Sequence, residues 1–377
     1  MTPLQTLLDA ARPGDVVTPP PGEYIENAPV DVPPGVTLEC DGVTMRRTES
    51  FAGQAGARTR YQLGLREGSK VVGVGAGLNI FGAAAPSLST LTYVRELEAQ
   101  HGINIVGKAS DSSVTGNVTV SNVYGDGCYI GEGPVIGKTG RGDRPQRITI
   151  DGLTIIDAGR QGMAVAIGDD IVIRDVLING AARSGIDLET NHATKTVNRV
   201  LIEDCDIRRF TNMTIAGAGA GPVNDVTIRR LACSELSAIW GGAEMFHRWL
   251  LDDVTAGWTS TAGDRALIRL GKITDVSILN LRLGQQTRTT PYKQEQGYDQ
   301  QFAVRTYDGC ERVNIEGIDW PTGWGALHPA STTGRTAHNA PFTGRPHWSP
   351  ISPAFPASPD LVGAIEPIAL PTLPVNA

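Results

Sequence analysis

The chain has 377 residues, of which 33 are basic and 40 acidic, for a formal net charge of −7 with only 19% charged residues. That balance offers no basic stripe for nucleic acid, and no run of about 18 apolar residues exists that could insert into a membrane. The five cysteines show no Cys-x-x-Cys spacing, and Cys128 and Cys205 fall on inward positions of the pattern described below, so buried free thiols are expected and a zinc site is not.

Thr2 to Ala11 reads as a short amphipathic helix: Leu4, Leu7, Leu8 and Ala11 share a face, Pro3 suits the first turn and Arg12-Pro13-Gly14 ends it. This stretch lacks the basic start and continuous apolar core of a signal peptide. The expectation is a chain that acts inside the cell, leaves by a route without a cleaved signal, or is released within a virus particle. The helix is assigned to cover the open end of a stack of strands, whose exposed edge would otherwise invite association. Extended segments follow at Val16–Thr18 and Val36–Cys40, then strand-like stretches at Lys70–Val74 and Leu78–Phe81.

From residue 102 a six-residue pattern dominates. It reads VTVSNV from Val118, ITIDGL from Ile148, IVIRDV from Ile171, VLIEDC from Val200, VTIRRL from Val226, WLLDDV from Trp249, VSILNL from Val276 and VNIEGI from Val313. Positions one, three and six are apolar almost every time, and successive starts lie 30, 23, 29, 26, 23, 27 and 37 residues apart. Alternation of this kind marks a strand with one face inward, and recurrence at such a period marks stacked units that bury their faces against each other. A second strand follows about ten residues later in most units, at Cys128, Met163, Ile186, Met213, Ala238 and Ala266, usually after a glycine-containing turn. Two strands, a sharp turn and a variable loop fit a parallel β-helix; leucine-rich repeats would need a Leu-x-x-Leu-x-Leu signature, which is absent. The fold expected is all-β, a right-handed parallel β-helix with an N-terminal capping helix and a Pro-rich extended C-terminal tail. Its parts are a cap with irregular first coils over 1–101, the regular β-helix over 102–320, and the tail over 321–377, where nine prolines fall after residue 340.

The second strands also set out the candidate chemistry. Asp187 and Glu189 stand two residues apart on one strand, among Ala164, Ala166, Thr214 and Ala216, as two carboxylates in a shallow trough. Side chains at i and i+2 of a strand lie roughly 6.5–7 Å apart, and inverting glycosidases use carboxyl pairs roughly 6.5–9.5 Å apart. Asp126 and His192 join them as candidate catalytic residues. Tyr129, Arg160, Asp169, Asp170 and Asn191 lie on the same rim as candidate substrate contacts, and Tyr292 and Tyr298 offer aromatic faces for sugar stacking. Outward carboxylates on a strand also serve plain solvation, so the pattern leaves that alternative open.

These residues carry a resemblance. Pro13-Gly14-Asp15-Val16-Val17, Pro21-Gly22-Glu23-Tyr24, Gly125-Asp126-Gly127-Cys128-Tyr129-Ile130 and Ser184-Gly185-Ile186-Asp187-Leu188-Glu189 resemble the pectate-lyase-like right-handed β-helix superfamily over roughly residues 1–320. That superfamily holds pectate lyases, polygalacturonases, epimerases, and the tailspikes and depolymerases of bacteriophages. The resemblance is specific for fold. The Asn-Thr-Asp and Gly-His-Gly segments of polygalacturonases are absent, and a calcium-dependent lyase would draw on Asp187, Glu189 and Arg160 without a matching motif. It implies a phage tail protein of the virion that contacts or depolymerises a host cell-surface glycan, works as a homotrimer and meets other tail proteins. The alternatives are a free extracellular polysaccharide lyase or hydrolase and a non-catalytic adhesive tail subunit. No cofactor is expected, with calcium entering only for a lyase.

Overall fold

The structure is a computed structural model and describes residues 2–47, 61–82, 98–132, 144–210, 213–217, 219–233, 237–240, 246–256, 266–283, 301–306, 310–318, 324–328 and 347–348. Tyr292, Tyr298 and most of 321–377 lie outside the described residues. Two compact units are formed, residues 1–187 with 205–212, and residues 188–204 with 213–377. Each is built from coils of a right-handed parallel β-helix.

In the first unit each coil gives two strands to one sheet, here sheet A, and one to a second, sheet B. One column of sheet A aligns Val16, Thr37, Lys70, Ser113, Thr149 and Val172, and the other aligns Gly22, Val43, Leu78, Val118 and Leu153, every pair parallel. Sheet B aligns Val30, Leu63, Ile103, Cys128 and Met163. Residues such as Leu38, Val71, Val114, Ile150 and Ile173 point inward from sheet A and are fully buried, as are Leu63, Ile103 and Met163 from sheet B. In the second unit Val200, Val226, Trp249, Val276 and Val313 align in the same manner. The stack runs past residue 320, because Trp324–His328 pairs with Gln301–Thr306, and His347–Trp348 pairs with Cys310–Ile318.

The register corrects one reading of the repeat. Ile148 pairs with Ile171 as the spacing implies, but Val118 pairs with Leu153, so VTVSNV belongs to the other column of sheet A. The hexapeptide is also not a single strand. Its fifth residue turns the chain through a left-handed conformation, with φ between 49° and 53° at Asp175, Asp204, Arg230, Asp253 and Asn280. Position six then starts the next column, which is why it is apolar and buried, as at Leu153, Val176 and Leu231.

The residue just before the hexapeptide is left-handed too, with φ between 48° and 60° at Arg147, Asp170, Arg199, Asp225, Arg248, Asp275 and Arg312. Arginine rarely adopts this conformation unless its surroundings hold it. Here the charge alternates from coil to coil, and the pairs are bidentate: Arg147 donates to Asp111 at 2.5 and 2.7 Å, Arg248 to Asp225 at 2.5 and 2.8 Å, and Arg312 to Asp275 at 2.5 and 2.8 Å. Asp170, read from sequence as a substrate contact, is a rung of this ladder; the Asp111 hydrogen bonds raise the Arg147 guanidinium first, and the Asp170 charge adds to them. Its neighbour Asp169 is buried against Arg144 at 2.7 Å.

The helix spans Leu4–Asp9, with Pro3 at the N-cap rather than inside the first turn. Leu4 and Leu8 are fully buried, and the Leu4 N–H is accepted by Glu26 Oε1 at 2.6 Å. Gln5 completes the cap. Its Oε1 accepts the Asp31 N–H at 2.6 Å and its Nε2 donates to the Asp31 carbonyl at 3.3 Å, so one side-chain amide takes the place of a missing strand at the edge of sheet B.

Two outcomes follow. A double-mutant cycle on Asp225→Ser and Arg248→Ser is expected to give a coupling of about 0.5 kcal/mol that fades in about 1 M salt, as suits a half-exposed pair. Gln5→Ala is expected to cost about 1 kcal/mol and to raise self-association in light scattering, because it re-exposes a pairing edge.

Candidate functional site

The outer face of sheet B in the first unit carries a column of Asp31, Gly64, Asn104, Tyr129 and Ala164. The backbone bond that aligns Cys128 with Met163, from Cys128 N–H to the Gly162 carbonyl, recurs from Met163 N–H to the Gly185 carbonyl, so Asp187 follows Ala164. Strand alternation agrees, since Ile186 is fully buried beside it. At the far end Asp31 accepts from the Tyr61 hydroxyl at 2.7 Å and from Arg66 at 2.8 Å. Burial and the Asp31 carboxylate push the Tyr61 hydroxyl up to about 12, so it stays a donor at neutral pH.

Tyr129 is half-buried and lies flat, parallel to the His101 ring to within 5° at a centroid separation of 4.5 Å. Gly131 makes this possible, because a Cβ there would stand 2.4 Å from the tyrosine hydroxyl. The sequence Cys128-Tyr129-Ile130-Gly131 therefore encodes an aromatic ring laid along its own strand.

Beneath this ring the turns into sheet B form a ladder that joins side chain to backbone. His101 Nδ1 accepts the Asp126 N–H at 3.2 Å, Asp126 Oδ1 accepts the Gln161 N–H at 2.9 Å, and Gln161 Oε1 accepts the Ser184 N–H at 2.7 Å. Nδ1 also lies 3.3 Å from Asp126 Oδ2, so the imidazole touches both the amide and the carboxylate of this residue. Gln161 Nε2 donates to Asp187 Oδ2 at 2.5 Å, and Arg160 donates to Asp126 at 2.9 and 3.2 Å. The glycines after these residues are required by contact: a Cβ on Gly127 would meet Ile155 at 2.5 Å, and one on Gly162 the Gly185 carbonyl at 2.5 Å.

Sequence-derived candidates thus divide. Asp126, Tyr129, Arg160 and Asp187 come together in the first unit. Asp126 is fully buried, beyond the reach of a polymer, and serves to position the others. Burial alone would raise its carboxyl, but the His101 hydrogen bond, the Arg160 charge and the Gln161 amide hold it below the ordinary 3.8. Asp187 is 5% exposed. Glu189 falls in the second unit, half-buried, one residue beyond the strand Ile186–Leu188. Asn191 and His192 are exposed there in a turn where Lys195 N–H bonds the His192 carbonyl at 2.9 Å and His192 Nδ1 accepts from Thr194 N–H at 3.3 Å. Asp169 and Asp170 stand on sheet A, apart from this column. Among the described residues, no group of three His, Cys, Asp or Glu side chains could hold a metal ion. His101 and Gln161 are additions that sequence reasoning missed. The signal was available in the residue two before the sheet B strands that start at Leu63, Ile103, Cys128, Met163 and Ile186, which reads Tyr61, His101, Asp126, Gln161 and Ser184.

Parallel coils, left-handed corners and a capped end define a right-handed parallel β-helix. No protein-family model matches the sequence, and a search of curated proteins finds no match. Solved structures do match. An endo-xylogalacturonan hydrolase from Aspergillus tubingensis is 10% identical, with a TM-score of 0.60 over 92% of this chain and 94% of that one. The Streptococcus pneumoniae surface protein and adhesin PfbA is 9% identical, with a TM-score of 0.53 over 86% and 94%. The catalytic unit of a thermostable GH87 alpha-1,3-glucanase from Streptomyces thermodiastaticus is 13% identical, with a TM-score of 0.51 over 93% of this chain and 65% of that one. At such identities the likeness is one of fold.

Asp126→Ala is expected to lower the unfolding free energy by about 3 kcal/mol, because it strands a largely buried arginine and breaks the ladder. The Asp126 carboxyl titrates lower in the folded chain than its ordinary 3.8, so its stabilisation is complete above that value and is lost as pH falls through the folded one. Acid melts of wild type and Asp126→Asn should therefore stay apart at pH 4 and converge only as pH falls well below 3.8, through the lowered folded value.

Proposed function

We propose that the chain binds a glycan along the outer face of sheet B in the first unit. The Tyr129 platform carries this reading: an aromatic ring laid flat over Gly131, backed by His101, beside the small Ala164 and the polar Asn104 and Asp187. Sugars stack on such rings through their apolar faces while their hydroxyls bond the polar neighbours. The names of two structural neighbours, a xylogalacturonan hydrolase and an alpha-1,3-glucanase, support a polysaccharide ligand, and the adhesin supports a surface-binding role.

Cleavage is the second reading. Asp187 favours it, since Gln161 fixes one carboxylate oxygen on this face. The biological setting proposed is a phage tail, where the chain would act as a homotrimer on a host cell-surface glycan and meet other tail proteins. A free extracellular hydrolase or lyase is the rival. Both the tail and the trimer rest on the resemblance seen in sequence.

The test is binding of the full chain to purified bacterial surface polysaccharides. Tyr129→Ala is expected to weaken binding about tenfold with little loss of stability. Asp187→Asn is expected to abolish release of reducing or unsaturated ends while leaving binding intact. Unchanged affinity in Tyr129→Ala would remove the site; binding without any product would leave adhesion as the function.

A further inference from the structure

The ring stacked on Tyr129 holds one nitrogen between two groups of opposite demand. His101 Nδ1 lies 3.2 Å from the Asp126 backbone nitrogen, whose N–H is aimed at it, and 3.3 Å from Asp126 Oδ2. An unprotonated Nδ1 can only accept, so it takes the amide N–H; a protonated one can only donate, so it takes the carboxylate. The two partners belong to one residue and lie at nearly one distance, so the ring exchanges them without leaving its place. Both sides of this contact are held. Asp126 is fully buried and accepts from Arg160 at 2.9 Å and from the Gln161 N–H at 2.9 Å, while the imidazole is stacked on Tyr129 with 4.5 Å between centroids. Charged and titratable groups on the neighbouring turns are engaged as well. Arg160 also lies 3.9 Å from Glu98, Arg47 donates to Gln62 and to the Tyr61 carbonyl, and the Tyr61 hydroxyl donates to Asp31.

We propose that His101 is a pH-sensitive positioning residue whose protonation weakens the Tyr129 platform, so that the site holds sugar better at neutral pH than in acid. The inference rests on the Tyr129 reading above and concerns the regulation of that same site. Two effects act in one direction. A sugar stacks through C–H groups on the negative face of an aromatic ring, and here it would use the face of Tyr129 that His101 does not cover. A cation on the covered face draws on the same quadrupole, so imidazolium and sugar compete for it. Protonation also takes the acceptor away from the buried Asp126 N–H, and a buried donor without an acceptor is costly. That amide stands two residues before the strand Cys128–Gly131, which carries Tyr129, so the loss loosens the start of the strand that presents the ring. His101 acts through Tyr129 in both effects and touches no sugar itself.

The experiment follows the 13C-labelled histidine and tyrosine rings of the full chain by NMR between about pH 5 and about pH 8, where imidazoles change charge. The histidine signal lost in His101→Phe and the tyrosine signal lost in Tyr129→Leu assign the pair. Tyr129 is expected to shift with the same midpoint as His101. Calorimetry with neutral α-1,3-glucan and dextran oligosaccharides, which carry no titratable group, is expected to show binding about threefold weaker at about pH 5.5 than at about pH 7.5. His101→Phe keeps a ring against Tyr129 without the proton, and should bind at both values as wild type does at the higher one. His101→Gln keeps an acceptor for the Asp126 N–H, as Gln161 does for Ser184, but offers no ring, and should bind weakly at both. The inference is overturned if His101 does not titrate in this range, if Tyr129 ignores its titration, or if the pH dependence persists in His101→Phe. Absence of glucan binding at either pH would count against the Tyr129 reading itself, while the ring signals still decide whether the switch exists.

Discussion

A parallel, in-register stack imposes one constraint from which much of this structure follows: each residue's neighbours above and below occupy the same position of adjacent coils. Apolar side chains accept this readily, and Leu38, Val71, Val114 and Ile150 form continuous buried files. Charges and hydrogen-bond donors do not, because like placed on like repels or competes. The corner ladder answers with alternation, Asp225, Arg248, Asp275 and Arg312 giving every charge an opposite neighbour. These pairs also offset the strain of arginines held in the left-handed region, where the turn between strand columns places them.

The turns into sheet B answer the same constraint differently. There the ladder is directional: the side chain of His101, Asp126 or Gln161 accepts the backbone N–H of the matching residue one coil on. Such a chain of bonds needs acceptors in succession, which is what imidazole, carboxylate and amide supply. The one full charge buried among them, Asp126, is balanced by Arg160. A buried polar network whose members bond one another holds a single arrangement. The consequence reaches the surface, since the strands that carry Tyr129 and Asp187 begin two residues after Asp126 and Ser184. Support comes from the turn and presentation from the strand.

Fold and period were legible because inward apolar positions recur with little noise, and because the helix Leu4–Asp9 carries its own buried face. What was hidden is instructive. VTVSNV from Val118 matches the hexapeptide in letters yet belongs to the other column, because two columns of one sheet bury the same kind of residue and periodicity cannot separate them. The fifth position looked merely polar, whereas it is where the chain turns left-handed; Asp and Asn there are a recognisable cue, and Arg230 is not. Asp126 and Asp170 drew attention as exposed acids on a rim, but one is buried in a ladder and the other is part of a corner. Partners decided both cases, and partners lie a coil away, 23 to 36 residues distant in sequence.

The same constraint separates the sheet A corner from sheet B. On the sheet A corner the charges of successive coils satisfy one another, and a ligand there would have to compete with bidentate pairs at 2.5 to 2.8 Å. On sheet B of the first unit the outer column carries Asn104, Tyr129 and Ala164 on successive rungs. Regular spacing of about 4.8 Å repeats whatever group occupies the column, so the surface is periodic along the stack. A periodic surface complements a polymer with its own repeat better than a compact ligand, which could use only one rung at a time. Stacking therefore does two things at once: it forces alternation where coils must satisfy each other, and it builds a repeating template where they do not.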